Sequence, residues 1–175
     1  MDIADPAYHK FSSYNEFKAT INAITNITDE VEREVALISF WDSLKVNHQI
    51  PFVFGDSVAF LYISDGKLVK WAGDFSGWRP VSGKEIGESQ VWMLEKVFPS
   101  DARLDYKVVV GEEWILDPDN EYFQYSGWGL NSELRMSGWV YPKETILKEG
   151  IERGALSDNQ FITASSSTLN YKVQY

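Results

Sequence analysis

The hydrophobic period of this chain changes once, close to Ile50. Before that point apolar residues recur every three or four positions, and after it they recur at every second position. A period near 3.6 is typical of amphipathic helices, and a period of two is typical of half-buried strands. The chain is therefore predicted to form a short helical segment followed by a β domain.

Two helices are predicted in the first segment. Ser13 begins the S-x-x-E spacing of a capping box, which predicts a helix over residues 14–25. Thr28 is the predicted N-cap of a second helix, whose apolar stripe consists of Val31, Val35, Ile38, Trp41 and Leu44. We interpret this stripe as a surface that docks on a neighbouring sheet, and a groove for a partner is the alternative.

The second segment reads as a series of short strands. Runs rich in β-branched and aromatic residues occupy 58–62, 67–71, 90–98, 103–110 and 113–116. Gly111 suits a tight hairpin, and residues 117–120 (DPDN) suit a turn. Strands at this spacing predict an antiparallel β-sandwich, so the expected fold is mainly β behind two helices.

The last residues repeat the alternating pattern. Apolar side chains at Leu169, Tyr171, Val173 and Tyr175 alternate with polar ones, which predicts a half-buried strand. This strand either returns to the sandwich or starts another domain, and we favour the second interpretation. The predicted organisation is a helical extension (1–49), a sandwich (50–140), and a connector with the first strand of a following α/β-hydrolase domain (141–175).

Charge and composition exclude several classes of partner. The net charge is -10 and the pI is near 4.6, whereas nucleic acids and anionic membranes require clustered Lys and Arg. The chain has no cysteine, and no apolar run approaches the length that spans a bilayer. A native Met1 favours the cytoplasm, and a removed signal peptide would instead indicate export to the periplasm or beyond.

Catalytic and metal-binding patterns are not found in the sequence. A serine hydrolase of the α/β type needs a G-x-S-x-G elbow and a later histidine, but that elbow is missing and His9 and His48 precede all predicted strands. With two separated histidines and no thiol, we expect no metal site, no cofactor and no catalytic residue in this chain. The DPDNE run at 117–121 lacks the glycine and distal glutamate of a calcium loop, so we interpret it as a turn.

A set of tryptophans close to turns leaves two interpretations. Trp71, Trp78, Trp92 and Trp114 either pack in the core or present flat faces to a sugar. Burying about 100 Å² of indole contributes roughly 2.5 kcal/mol. Two such faces barely exceed the cost of association, so binding would be weak, with Kd around millimolar to tens of micromolar.

Several motifs together carry a family resemblance. They are AGDFSGW at 72–78, VW at 91–92, ARLDYKVVV at 102–110, EWILDP at 113–118 and NSEL at 131–134. In this order they resemble the early-set immunoglobulin-like domain. That family includes the glycogen-binding modules of starch-branching and debranching enzymes and of the kinase β subunit. It also includes the N-terminal domain of bacterial esterases related to enterochelin esterase. The resemblance covers residues 51–141.

Two features favour the esterase branch of this family. The NSELRM run at 131–136 with its proline-containing connector, and the helices before the sandwich, are similar to those esterases. The resemblance implies a non-catalytic accessory domain that shapes substrate access or the subunit interface of a serine esterase, with the catalytic serine, acid and histidine beyond Tyr175. Expected partners are the following esterase domain and a second copy in a homo-oligomer.

The glycogen-binding branch supplies the alternative function, an α-glucan or other carbohydrate-binding module. By position, Trp78 and Trp114 match its sugar-stacking tryptophans, Lys107 matches a lysine that contacts hydroxyls, and Asn131 matches a polar contact. The same pattern also serves folding alone. In that interpretation Gly73 and Gly77 permit tight turns, and Phe75 fills the core.

Overall fold

The computed structural model describes residues 8–87, 89–146, 148–152, 154–155, 158, 160–163 and 170–173. The chain divides into two compact units, Met1–Val140 and Tyr141–Tyr175. The first unit contains both helices and two β-sheets, and the second contains a short hairpin. The predicted division of the first unit between residues 49 and 50 stays a prediction.

The two helices begin at polar caps. Helix α1 (Tyr14–Thr25) has the predicted bounds, and the Ser13 hydroxyl accepts a hydrogen bond from the Glu16 N–H at 3.1 Å. Helix α2 (Glu30–Val46) begins after Asp29, whose carboxylate accepts from the Glu32 N–H at 2.8 Å. The predicted N-cap at Thr28 is therefore wrong by one residue, because a carboxylate at Asp29 caps the helix and complements its dipole.

Ten strands of the first unit form two antiparallel sheets. The strands of sheet A, in spatial order, are β1 (Phe52–Phe54), β2 (Ser57–Ile63), β6 (Val91–Val97) and β5 (Lys84–Glu85). Those of sheet B are β4 (Val81–Ser82), β3 (Val69–Gly73), β7 (Arg103–Val110), β10 (Gly129–Arg135) and β9 (Phe123–Ser126), and β8 (Glu113–Ile115) also pairs with β7. The predicted fold class, a mainly β sandwich behind two helices, is confirmed.

Strand β2 joins two hydrophobic cores because both of its faces are buried. Ala59 and Leu61 face the helical core, which also contains Phe11, Phe17, Ile21, Ile24, Phe40, Trp41, Leu44, Ile50, Phe52 and Val91. Val58 and Phe60 face the inter-sheet core, which also contains Val69, Trp71, Leu94, Tyr106, Val108, Leu134 and Met136. The helices thus cover one face of sheet A, and sheet B covers the other.

The apolar stripe predicted for α2 docks only in part. Trp41 and Leu44 are buried, but Val31 is 71% exposed, and Val35 and Ile38 are exposed as well. The buried residues of α2 lie between Phe40 and Leu44, and Ala36 and Leu37 also pack against the helical core. The predicted stripe is therefore wrong in its first half: at 100° per residue Val31, Val35 and Ile38 lie on the side of the helix opposite Leu44, since its later members follow one another at steps of three and rotate around the helix.

The second unit contains a short 3₁₀ helix, Lys143–Thr145, and an antiparallel hairpin of β11 (Gln160–Thr163) and β12 (Asn170–Val173). Strand β12 lies within the predicted terminal strand, and it pairs with β11, which the sequence analysis did not predict. Leu169 and Tyr175 lie outside the described residues. A following hydrolase domain stays a prediction.

Candidate functional site

Three of the four predicted site residues lie on the outer face of sheet B, on the neighbouring strands β7, β8 and β10. Trp114 on β8 lies opposite Val109 on β7, and Lys107 lies two residues from Val109 on the same face of that strand. Asn131 on β10 shares this face, because its neighbour Ser132 lies opposite Tyr106, which points into the inter-sheet core. We call Trp78, Lys107, Trp114 and Asn131 the tryptophan face.

Trp78 lies in a strained turn that follows β3. A short 3₁₀ helix, Asp74–Ser76, follows β3, and the next two residues, Gly77 and Trp78, have left-handed φ values of 56° and 60°. A left-handed conformation is costly for a bulky residue and marks a position that the surrounding structure enforces. The Trp78 N–H donates to the Gly73 carbonyl at 2.9 Å, which closes the turn.

Gly73 and Phe75 hold this turn against the sandwich. A Cβ atom at Gly73 would lie 2.3 Å from the Asp105 carbonyl oxygen, so only glycine allows β3 and β7 to approach here. Phe75 packs against the inter-sheet core, with its ring 5.4 Å from that of Phe60. The folding roles that the sequence predicted for Gly77 and Phe75 are confirmed, whereas Gly73 has an extended backbone and is required by the close approach of β7 instead of by the turn.

Asp74 orients the Trp78 indole. Its Oδ1 accepts a hydrogen bond from Nε1 of Trp78 at 3.2 Å, and its Oδ2 accepts from the Asp105 N–H at 2.8 Å. One carboxylate therefore connects the indole to β7. The sequence analysis did not assign this role to Asp74, although an acid four residues before a tryptophan within a glycine-bounded turn was visible.

The exposed fractions of the four residues differ. Trp78 is 36% exposed and Trp114 is 45% exposed, so each side chain is in part accessible to solvent and in part covered by the protein. Asn131 is only 5% exposed, and its Nδ2 lies 3.4 Å from Oδ2 of Asp105. The arrangement gives Asn131 a supporting position beneath the face, whereas the two indoles are available for stacking.

The two residues of β7 to which the tryptophans are connected lie apart along the strand. Asp105, which contacts Asp74, and Val109, which pairs with Trp114, are four residues apart on β7, roughly 13 Å at the usual strand rise. Lys107 lies between them. Flat apolar faces with an ammonium group between them suit a neutral polyhydroxylated chain, in which separate rings stack on separate indoles.

A buried carboxylate organises the other end of the same sheet face. Glu133 is buried and pairs with Arg103, whose Nη2 lies 2.6 Å from Oε2, and with Arg135. Burial alone would raise the pKa of Glu133, but the hydrogen bonds from both arginines outweigh it and lower that pKa. The Arg135 guanidinium also lies over the rings of Tyr122 and Trp139, at 4.0 and 4.8 Å.

The DPDNE run is a turn, as predicted, and its first acid is part of a buried network. The Asp117 carboxylate accepts from the Tyr106 hydroxyl at 2.7 Å and from the Asp119 N–H at 3.2 Å. Desolvation raises the pKa of Asp117 to about 6, although these hydrogen bonds act in the opposite direction. Asp119 in turn accepts from Nε1 of Trp41 at 2.9 Å, which connects this turn to α2.

Both histidines pair with carboxylates at the surface. Nε2 of His9 lies 2.6 Å from Oε1 of Glu16, and the Ser12 hydroxyl donates to the other oxygen of that same carboxylate. Nδ1 of His48 lies 3.1 Å from Glu121. A serine nucleophile requires the histidine between the hydroxyl and the acid, whereas here the acid lies between the serine and the histidine.

Among the residues that the structure describes, no group of three or more His, Cys, Asp or Glu side chains could hold a metal ion. Within the same part of the chain, no helix is both long and apolar enough to cross a bilayer.

The chain has partial structural similarity to solved enterobactin esterases. No family model matches its sequence, and no curated protein does. An enterobactin esterase from Shigella flexneri, solved with enterobactin, is 15% identical with a TM-score of 0.45, over 67% of this chain and 38% of that one. The ferric enterobactin esterase from Salmonella typhimurium is 13% identical with a TM-score of 0.42, over 49% and 32%. This chain therefore spans less than two fifths of either structure.

Proposed function

We propose that this chain is a non-catalytic, early-set immunoglobulin-like accessory domain of a serine esterase, and that it shapes substrate access or the subunit interface of a following α/β-hydrolase domain. The motif series that carries the family resemblance supports this proposal. Its glycines and Phe75 have the packing roles that such a sandwich requires. Enterobactin-like esters are substrates to test first on the longer protein.

The observation that carries the non-catalytic role is the pairing of both histidines. His9 and His48 each face a carboxylate, and Ser12 donates its proton to Glu16 instead of to an imidazole. A serine in such a position lacks the imidazole that takes up the hydroxyl proton in a Ser–His–acid triad, so the triad activation is not available to Ser12.

Ester hydrolysis by the purified chain tests this role. We expect p-nitrophenyl acetate and butyrate to be hydrolysed at the rate of buffer, and a fluorophosphonate probe to leave the chain unlabelled. Hydrolysis above the blank that disappears in His48→Ala or His9→Ala would contradict the proposal. A contaminating esterase is recognised because its activity is the same in both variants.

The accessory role has a genetic test. We expect the reading frame downstream of the Tyr175 codon to continue into strands, a G-x-S-x-G elbow and a later histidine. A stop codon directly after Tyr175 would contradict the accessory role and leave a binding module that acts alone.

A second candidate, α-glucan binding, is favoured by one observation. Trp114 is half-exposed on the side of sheet B that carries Lys107, and the half-exposed Trp78 indole is held by Asp74, which also bonds Asp105 of β7. We expect maltoheptaose to bind with a Kd between about 10 µM and 1 mM, because two stacked rings contribute little beyond the cost of association.

Tryptophan fluorescence during a maltoheptaose titration tests this candidate. Trp78→Ala and Trp114→Ala should each weaken binding at least roughly tenfold, the loss of one stacked ring. Trp128→Ala is the matched control, because Trp128 is 99% exposed and lies on the turn between β9 and β10, away from the tryptophan face. Equal loss in all three variants, or no spectral change at millimolar sugar, would exclude the candidate.

A further inference from the structure

Strand β9 is an edge of sheet B. Among the residues that the structure describes it pairs with β10 alone, and the Glu133 N–H donates to the Tyr122 carbonyl at 2.9 Å. The Tyr125 carbonyl accepts a long hydrogen bond of 3.4 Å from the neighbouring Gln124 side chain, which a further strand would replace. In an antiparallel pair, successive residues alternate between bonding the neighbouring strand and facing away from it. Because Tyr122 faces β10, the N–H and C=O groups of Phe123 and Tyr125 point outward from the sheet.

The other edge strands of the two sheets contain charged residues or follow prolines, which disfavour pairing with a further strand. Strand β5 consists of Lys84 and Glu85, β8 contains Glu113, and prolines precede β1 and β4 at Pro51 and Pro80. Charges and prolines at edges are common protection against association with a further strand. Strand β9 contains neither a charged residue nor a proline.

The charge distribution singles out the same segment. Residues 122–132 contain no charged side chain, although the chain as a whole has a net charge of -10. Two copies of an acidic protein repel each other over most orientations. An approach through the β9 edge brings uncharged segments together and keeps most carboxylates apart.

The side chains of this edge are large and aromatic. Phe123 and Tyr125 lie on one face of β9, opposite Ser132 and Leu130 of β10, and Tyr125 is 75% exposed. This face continues the side of sheet B that forms the inter-sheet core at Leu134. An exposed aromatic edge of this kind gains cross-strand partners when another strand is added.

We propose that β9 pairs antiparallel with β9 of a second copy of this chain, with Gln124 at the two-fold axis. In that register Phe123 of each copy lies opposite Tyr125 of the other. The outward groups of these two residues then form four main-chain hydrogen bonds, and two Phe–Tyr pairs flank the axis. A two-fold interface requires a self-complementary patch, and a symmetric strand pair provides one.

The contact is short, so the dimer is weak. It involves one four-residue strand from each copy, which lies at the small end of interface sizes. We expect a Kd on the order of tens of micromolar, tightening as salt screens the repulsion between the two acidic copies.

Sedimentation velocity from 5 µM to 1 mM tests the dimer. Tyr125→Lys places a charge at the edge and should leave a monomer at all concentrations, with its circular dichroism spectrum unchanged because Tyr125 is exposed. Val35→Lys is the matched control, since it makes the same change on the exposed stripe of α2. A wild-type monomer at 1 mM, or a dimer that Val35→Lys abolishes and Tyr125→Lys does not, would overturn the proposal.

The register has a separate test because the chain contains no cysteine. The axis places the two Gln124 residues directly opposite each other, within the Cα separation that a disulfide spans. Gln124→Cys should therefore oxidise rapidly to a covalent dimer. Asn15→Cys, exposed on α1, controls for collisional oxidation, and equal rates for the two variants would exclude this register.

Discussion

The two cores of the first unit lie on opposite faces of the same strand and differ in how they are specified. The helical core consists of apolar and aromatic side chains, and Phe17 stacks on Phe52 with ring centroids 4.2 Å apart. The inter-sheet core includes Tyr106, whose buried hydroxyl donates to Asp117, and it closes only because Gly73 admits the Asp105 backbone. The stability of the helical core depends on how well its side chains fill the available volume. That of the inter-sheet core depends in addition on a directional hydrogen bond and on close backbone contact.

We therefore expect the largest loss of stability when a large side chain of the helical core is truncated. Phe17→Ala should lower the free energy of unfolding by about 3–5 kcal/mol, because Phe17 is fully buried and contacts Phe11, Phe40 and Phe52. Urea unfolding followed by far-UV circular dichroism and by tryptophan fluorescence measures it.

The same experiment asks whether the helices and the sandwich unfold together. Because Ala59 and Leu61 of β2 form part of the helical core, we expect both signals to shift by the same amount. Phe54→Ala is the control, since Phe54 is exposed and should lose much less stability. A change in the helical signal alone would mean that residues 1–49 fold separately from the sandwich.

The second prediction concerns backbone contact in the inter-sheet core. Gly73→Ala should cost about 3 kcal/mol, the upper part of the range for overpacking, because its Cβ would meet a backbone oxygen that cannot rotate away. Gly127→Ala is the matched control, as no atom lies within 4 Å of its Cβ position. Thermal unfolding of both variants measures the difference, and equal losses would show that the approach of β3 to β7 is not tight.

Local sequence signals predicted the parts of this fold that local chemistry determines. Helix α1 and strand β7 have the predicted bounds, since Ser13 caps the one and Gly111 ends the other. Strand β9 was not predicted, because its FQYS sequence lies between exposed turns and is stabilised by pairing with β10. Val31 and Val35 are exposed because they lie on the side of α2 opposite Phe40 and Leu44, and which of the two sides is buried is a tertiary property.

The sequence analysis predicted the residues of the tryptophan face, but it did not predict the hydrogen bonds that hold them in place. Trp78, Lys107 and Trp114 follow from the motif series, and strand pairing explains why Lys107 and Trp114 share one side of sheet B. The burial of Asn131 and the bond from Asp74 to the Trp78 indole depend on Asp105, which is distant from Asp74 in sequence. A contact across 31 residues leaves no periodic signal in a single sequence. Sugar binding at this face stays a prediction.

The third and smallest predicted effect is a pH dependence that only the inter-sheet core should have. Desolvation raises the pKa of Asp117 to about 6 in the folded chain, whereas an unfolded Asp titrates near 3.9. A raised folded pKa means that the folded chain binds the proton more tightly. The contribution of this carboxyl to stability is therefore fully present below about pH 4 and is lost as pH rises through 6.

Asp117→Asn removes this titration while keeping an oxygen that can accept from the Tyr106 hydroxyl. The difference in unfolding free energy, wild type minus variant, should fall by on the order of 2 kcal/mol between pH 4 and 6.5. Urea unfolding at several pH values measures it. Phe17→Ala, compared with wild type in the same series, should give a difference that does not change over this range, because none of the buried residues of the helical core carries a carboxyl or imidazole group. A flat difference for Asp117→Asn as well would mean that the Asp117 carboxyl is already ionised at pH 4, and that the Tyr106 and Asp119 hydrogen bonds outweigh its burial.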